Sequence, residues 1–275
     1  MSLDPLQIDT DVVELVLRRF LHDEITKAGF NRGVIGLSGG VDSALACYLA
    51  AEALGPENIL ALSMPYQHSS PDSLEHAQMV VDELGVACET IDITSIVNPL
   101  YLMSPGIDDN RRGNIMARTR MIILYDRSAA WKGLVVGTSN KSELILGYGT
   151  LFGDLASAVN PLGDLYKTQV RQLAKAVGVP QVIIEKKPSA DLIPGQTDEG
   201  DLGFTYADVD QVLYLLVDKR YSPEDVEEAG YQAEFIQKVL EMIHSSHFKR
   251  RLPVIAKVSE RTIGHDFRYL RDSGL

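Results

Sequence analysis

The sequence predicts a doubly wound α/β fold, an open parallel sheet with flanking helices, and three observations carry that prediction. Short apolar runs recur at residues 34–37, 59–62, 86–91 and 134–136. Each is separated from the next by a stretch of helical length and periodicity, as in a parallel sheet covered on both faces. The third observation is size: 275 residues, 45% hydrophobic and 23% charged, are enough to bury one large core.

Each element has a local reason. Asp9 or Thr10 can cap a first helix in which Val12, Val13, Val16, Leu17, Phe20 and Leu21 recur at helical spacing, and Gly29 ends it. The run 34–37 reads as a buried strand. Helical periodicity resumes at 45–54 and stops at Gly55-Pro56. The strand 59–62 is followed by a helix at 71–84 with Pro71 in its first turn, then by the strand 86–91. A long helix over about 110–131 leads to the strand 134–136. Residues 147–164 are glycine-rich with few long apolar side chains, which suggests a loop lining a site. Residues 188–204 are turn-forming and acidic, a loop of the length that usually forms a lid; residues 192–203 are expected to order only when ligand binds. Helices return from 206 to the early 240s. The chain reads as one domain, 1–275, with a helical C-terminal portion over about 205–275.

Composition excludes several classes. With 26 basic and 38 acidic residues the net charge is −12, which repels a nucleic-acid backbone. Lys249, Arg250, Arg251, Lys257, Arg261, Arg268 and Arg271 make the tail locally basic, which suits a small diphosphate ligand better than RNA. Two cysteines, Cys47 and Cys88, are too few for a disulfide framework or a zinc knuckle. No apolar run is long enough to span a bilayer, and the N-terminus lacks the features of a signal peptide. A cytoplasmic protein without a membrane or nucleic-acid partner is expected.

The most informative stretch is Gly36-Leu37-Ser38-Gly39-Gly40-Val41-Asp42-Ser43. Glycines let the backbone approach an anion, and the helix that follows aims its free N–H groups at it. Ser38 and Ser43 add hydroxyls. Asp42 would repel a phosphate unless a metal lay between them, which makes it a magnesium candidate. The turn lacks the lysine of a P-loop and the G-x-G-x-x-G spacing of a dinucleotide fold. A plain strand-to-helix turn with capping serines is the competing explanation.

This turn resembles the SGGxDS pyrophosphate-binding loop of the N-type ATP pyrophosphatases. Further segments narrow the resemblance: 113–121 around Arg118, 137–143, 147–154, 160–170 and 187–192. In order and spacing these are similar to the NAD synthetase family, over nearly the whole chain from about residue 10. The resemblance implies amidation of deamido-NAD to NAD through an adenylated carboxylate, with ammonia as nitrogen donor and ATP going to AMP and pyrophosphate. It implies that residues 36–43, Thr138, Lys167 and Ser189 contact ATP, that Asp42 and Glu143 bind Mg2+, and that Arg118, His247 and Lys249 contact deamido-NAD. Asp42, Glu143, Asp154 and Lys167 would be catalytic, with Asp154 near the ammonia position. It also implies a homodimer with the long central helix in the interface. No glutaminase domain is expected, so ammonia would come free or from a separate glutaminase subunit.

Plainer explanations accompany several of these residues. Glu143 lies three residues after Asn140, the spacing of a capping box. Arg118 could form a surface ion pair, Ser189 could cap a helix, and Thr138 could satisfy backbone at a strand end. The histidines 68, 76, 244, 247 and 265 lack metal-ligand spacing. Leu151 and Ala158 stand where many ammonia-dependent members carry Lys and Asp. Within the superfamily, a tRNA-modifying enzyme is disfavoured by charge and cysteine usage, and GMP synthetase by the Arg118 and 147–154 segments. A non-catalytic ATP sensor is disfavoured by the presence of both Asp42 and Glu143.

Overall fold

The computed structural model describes residues 5–189, 197–251, 253–260 and 262. Among these, four parallel strands form one sheet in the order β3-β2-β1-β4: β1 Gly33–Gly36, β2 Ile59–Ser63, β3 Ala87–Thr90 and β4 Leu134–Val136. The order reverses between β1 and β4. In such sheets the crevice beyond the carboxyl ends of the strands at that reversal is where ligands bind.

Both faces of the sheet are covered, as the near-continuous apolar strands require. Successive residues of β1 point opposite ways: Ile35 joins the cluster built on α2 (Val41–Leu54), and Val34 joins the cluster containing Met116 of α5 (Asp109–Trp131). The helix α2 is buried along most of its length, between the sheet, α1 (Thr10–Lys27) and α7 (Lys167–Ala176). Its run of Ala44, Ala46, Ala50 and Ala51 lets these neighbours approach closely. Cys47 is inside this core, and burial pushes its thiol up to about 12, which makes it inert.

Asp9 caps α1 by accepting from the Val12 amide, as its position predicts. Pro71 opens α3 (Pro71–Leu84) and left-handed Gly85 closes it. The long helix matches its predicted span to within one residue. Other boundaries move. The first strand runs 33–36, and α2 starts at Val41 rather than 45, because the turn's own Val41-Asp42-Ser43 supplies the first helical turn. The predicted third strand, 86–91, narrows to 87–90.

Two short helices lie where none was predicted, α4 (Thr94–Leu102) and α8 (Gln181–Glu185); α4 carries Pro99 in its interior. The region from 206 onward is broken into α10 (Tyr206–Leu213), a π-helical turn (Tyr214–Asp218), α11 (Pro223–Glu228) and α12 (Ala233–Ser245). The loop expected over 188–204 is revised in its second half. Residues Asp198–Leu202 form α9, capped by Thr197, with Asp198 and Leu202 buried. Residues 192–196, part of the segment expected to order on ligand binding, lie outside the described residues, as do Arg261, Arg268 and Arg271 of the basic tail. Among the described residues no helix is long and apolar enough to cross a membrane.

Candidate active site

The phosphate turn follows β1 directly. Ser38 and Ser43 face each other, Oγ to Oγ 3.0 Å. The Ser43 hydroxyl donates to the Gly40 carbonyl at 3.0 Å, and the Ser38 amide donates to Ser43 Oγ at 3.2 Å. The hydroxyls therefore shape the turn around the open N-terminus of α2, whose first amides have no partner within the helix. Gly39 is left-handed at φ +74°, and a Cβ there would sit 2.1 Å from the Ser73 carbonyl oxygen of α3. Only glycine allows α3 to press this close to the turn.

Three predicted residues from distant parts of the chain meet at the mouth of this turn. Lys167 opens α7 and is buried. Its Nζ donates to Asp42 Oδ2 in a very short contact and to Glu143 Oε1 at 3.3 Å. Asn140, fully buried, donates from Nδ2 to Asp42 Oδ1 at 2.9 Å and so ties the end of β4 to the start of α2. Burial would drive the Lys167 ammonium to lose its proton, but Asp42 and Glu143 outweigh it and hold the pKa above its ordinary value. For Glu143 burial is the largest influence and raises its pKa, against the opposing pull of Lys167.

Glu143 does two things at once. Its Oε2 accepts from the Asn140 amide at 3.2 Å while Asn140 Oδ1 accepts from the Glu143 amide at 3.0 Å, a complete capping box on α6 (Lys141–Leu146). Its other oxygen faces Lys167. The capping and the functional explanations are both satisfied, one by each oxygen.

A buried relay fixes the α7 backbone against α6. The Lys167 amide donates to Ser142 Oγ at 3.0 Å, and Ser142 donates to Asp210 Oδ1 at 2.5 Å. Asp210 Oδ2 accepts from the Thr168 amide at 2.8 Å. Ser142 and Asp210 are both fully buried. Burial raises the Asp210 carboxyl pKa, opposed by the hydrogen bonds from Ser142 and Thr168. Asp210→Ala strands two donors in the interior and is expected to cost about 2–4 kcal/mol. The urea unfolding midpoint measures this; a loss under about 1 kcal/mol would mean that water replaces the carboxylate.

A second group of predicted residues gathers on the 147–154 loop. The Arg118 guanidinium, exposed on α5, donates to the Leu151 carbonyl at 3.2 and 3.3 Å. Asp154 Oδ1 accepts from the Thr150 amide at 2.8 Å. Asp154 is open to solvent yet crowded by its loop; the crowding raises its pKa, while the Thr150 amide and Lys249 lower it. Lys249 Nζ donates to the Gly147 and Gly149 carbonyls, each at 2.8 Å. Arg250 beside it donates to Ile145 O and Ile243 O, each at 2.6 Å. His247 is exposed in the short 3-10 turn His247–Arg250, Thr138 is half-buried past β4, and Ser189 is exposed. Lys249 thus braces the loop with its ammonium.

The sequence reading did not single out Asn140, Ser142, Asp198 or Asp210 as site residues. Asn140 was visible as a helix cap, which is half of its work. The others sit in helices, and nothing local names their partners.

The carboxylates and ammonium surround a glycine-rich turn at the reversal point of a parallel sheet, the place where doubly wound nucleotide-binding enzymes hold phosphates. Comparison agrees: residues 13–253 match the NAD synthase family, and the chain belongs to that family. It is 57% identical over 269 residues to a protein of Trichlorobacter lovleyi named NH(3)-dependent NAD(+) synthetase, with 98% of each chain covered. Its fold is similar to that of the NH3-dependent NAD synthetase of Campylobacter jejuni, with a TM-score of 0.78, 34% identity, and 91% and 100% of the two chains covered. It is also similar to the NMN synthetase of Francisella tularensis, with a TM-score of 0.81, 31% identity, and 91% and 99% covered.

Proposed function

We propose that this chain converts deamido-NAD to NAD with ATP and ammonia, and that the cluster of Asp42, Glu143 and Lys167 is where the carboxylate is activated. The observation that carries this reading is the buried ammonium of Lys167 between two carboxylates, at the open N-terminus of α2. A carboxylate oxygen of the substrate attacks the α-phosphorus of ATP, the bond between that phosphorus and the bridging oxygen breaks, and pyrophosphate leaves. Ammonia then attacks the acyl carbon; the carbon–oxygen bond to AMP breaks and the nitrogen gives up a proton.

The first step joins two anions. Lys167 and the α2 amides, with Ser38 and Ser43, would hold the phosphates and disperse the charge that builds up in the transition state. Thr138 and Ser189 are assigned to ATP on the family resemblance. Two carboxylates with hard oxygen donors beside a phosphate turn suit Mg2+, which usually takes one or two carboxylates together with phosphate oxygens. Among the described residues no three acidic, histidine or cysteine side chains could hold an ion by themselves, which fits an ion shared with ATP. Asp42 and Glu143 would hold it, and it would supply Lewis-acid neutralisation of the phosphates.

Arg118 lies at the edge of the 147–154 loop, suitably placed for deamido-NAD, with His247 on the adjoining turn. Asp154 is assigned to the ammonia step, where an anionic oxygen attracts ammonium and accepts its proton. Asp154→Asn is expected to slow NAD formation by about a hundredfold while leaving pyrophosphate release without ammonium within a fewfold of wild type. Equal losses in both assays would remove Asp154 from the ammonia step.

We further read the chain as a single domain acting in the cytoplasm as a homodimer. The exposed Ile122 and Tyr125 of α5 support the dimer, since they leave the central helix apolar on its outer side. The decisive experiment is incubation with ATP, Mg2+ and deamido-NAD, with ammonium or glutamine as donor. NAD and pyrophosphate formed with ammonium alone are expected. Turnover with glutamine but not with ammonium would overturn ammonia as the direct donor, and no turnover with either donor would end the proposal.

A further inference from the structure

One buried acid in this region is not used by the mechanism above. Asp198, the first residue of α9, is 5% exposed. The Tyr148 hydroxyl lies between Asp198 Oδ1 at 3.3 Å and Asp201 Oδ2 at 3.0 Å, and the Tyr206 hydroxyl donates to Asp198 Oδ2 at 3.4 Å. Hydroxyl donors on both oxygens favour the ionised carboxylate, against burial, which raises its pKa. The Tyr206 ring that holds it lies under the Lys167 ammonium, whose Nζ is 5.2 Å from the ring centroid. Asp198 contributes to raising the pKa of both Lys167 and Glu143.

With Asp42 and Glu143 alone, the Lys167 ammonium would leave one net negative charge in the cluster. With Asp198, three carboxylates and one ammonium leave two. We propose that Asp198 is a positioning residue for the divalent cation of this site, a fixed charge outside the ion's own ligands, held by Tyr148 and Tyr206, that brings the buried cluster into balance with a doubly charged ion. This rests on the reading of Asp42 and Glu143 as Mg2+ ligands. Groups in that outer position act on the field and on the orientation of the ligands. Asp198 also links α9 to the catalytic ammonium, so the same carboxylate sets where α9 docks.

The test is Mn2+ binding, followed by electron paramagnetic resonance, in the presence of a non-hydrolysable ATP analogue. Asp198→Asn keeps the shape and removes the charge, and is expected to weaken Mn2+ binding roughly tenfold or more. Asp198→Glu restores the charge and is expected to recover most of it. A purely structural role would lower the melting temperature of both variants and leave the Mn2+ affinity of the folded protein unchanged; that result overturns the proposal. Should Asp198→Asn not fold, Tyr148→Phe loosens the carboxylate without removing its charge. A loss of about two- to threefold in Mn2+ affinity is then expected, and no loss is the overturning result. Wild-type protein that releases no pyrophosphate from ATP and deamido-NAD would overturn the catalytic reading as well. An active wild type with unaltered Mn2+ binding in the variants sinks this inference alone.

Discussion

Lys167→Met is expected to slow ATP-dependent pyrophosphate release by roughly a hundred- to a thousandfold, the usual cost of removing one preorganised donor to a developing anion. The methionine keeps the stem and removes only the cation. Asp42 and Glu143 would then face each other with no positive partner in a buried site, because Lys167 is the group both contact. Breaking a buried pair by deleting one member costs about 3–5 kcal/mol, so the variant should also melt well below wild type. The two effects separate with magnesium. A divalent ion between the orphaned carboxylates should raise the melting temperature of the variant far more than that of wild type, without restoring turnover. Near-normal pyrophosphate release in Lys167→Met would show that the ammonium is structural and that the charge of the reacting phosphates is met elsewhere.

Gly39→Ala is expected to be among the most damaging additions of a single methyl group. Its Cβ would lie 2.1 Å from the Ser73 carbonyl oxygen, at a φ of +74° that is strained for alanine in any surroundings. Either α3 retreats or the turn unwinds. We expect a loss of about 2–4 kcal/mol in stability and a fall of at least about a hundredfold in ATP affinity, read by urea unfolding and by calorimetry. Gly40→Ala is the matched control. Its φ of −97° is ordinary, and the nearest atom to its Cβ, the Ser38 hydroxyl oxygen, is 3.4 Å away. That variant should bind ATP within about tenfold of wild type. Equal behaviour of the two would mean that the close approach of α3 is not what shapes the turn.

These expectations show which parts of the molecule could be read in advance. The helices at Thr10 and Pro71, the phosphate turn and the long central helix announce themselves through caps, proline, glycine and apolar spacing, all of which act within a few residues. The meeting of Asp42 with Lys167 spans 125 positions and has no local signature; only the motif resemblance placed both in one site. Asp210 shows why the remainder stayed hidden. In Tyr206–Leu213 it lies on the apolar stripe with Tyr206, Val209 and Leu213, but nothing local names the two donors from other elements that it satisfies. Asp198 was masked by the acidic run around it. The helix α4 has no clear sequence signal, because Pro99 in its interior reads as a breaker.

Lys249 grips the carbonyl of Gly147 from 102 positions downstream, and Arg250 grips that of Ile145 from 105. Translation delivers these clamps well after the loop they hold. A nascent chain still lacking them would already contain the phosphate turn, the ammonium and its two acids, but the loop bearing Asp154 would be unbraced. The loop bearing Asp154 is thus completed only by a segment about a hundred residues downstream, so its shape depends on the docking of the turn that carries Lys249 and Arg250.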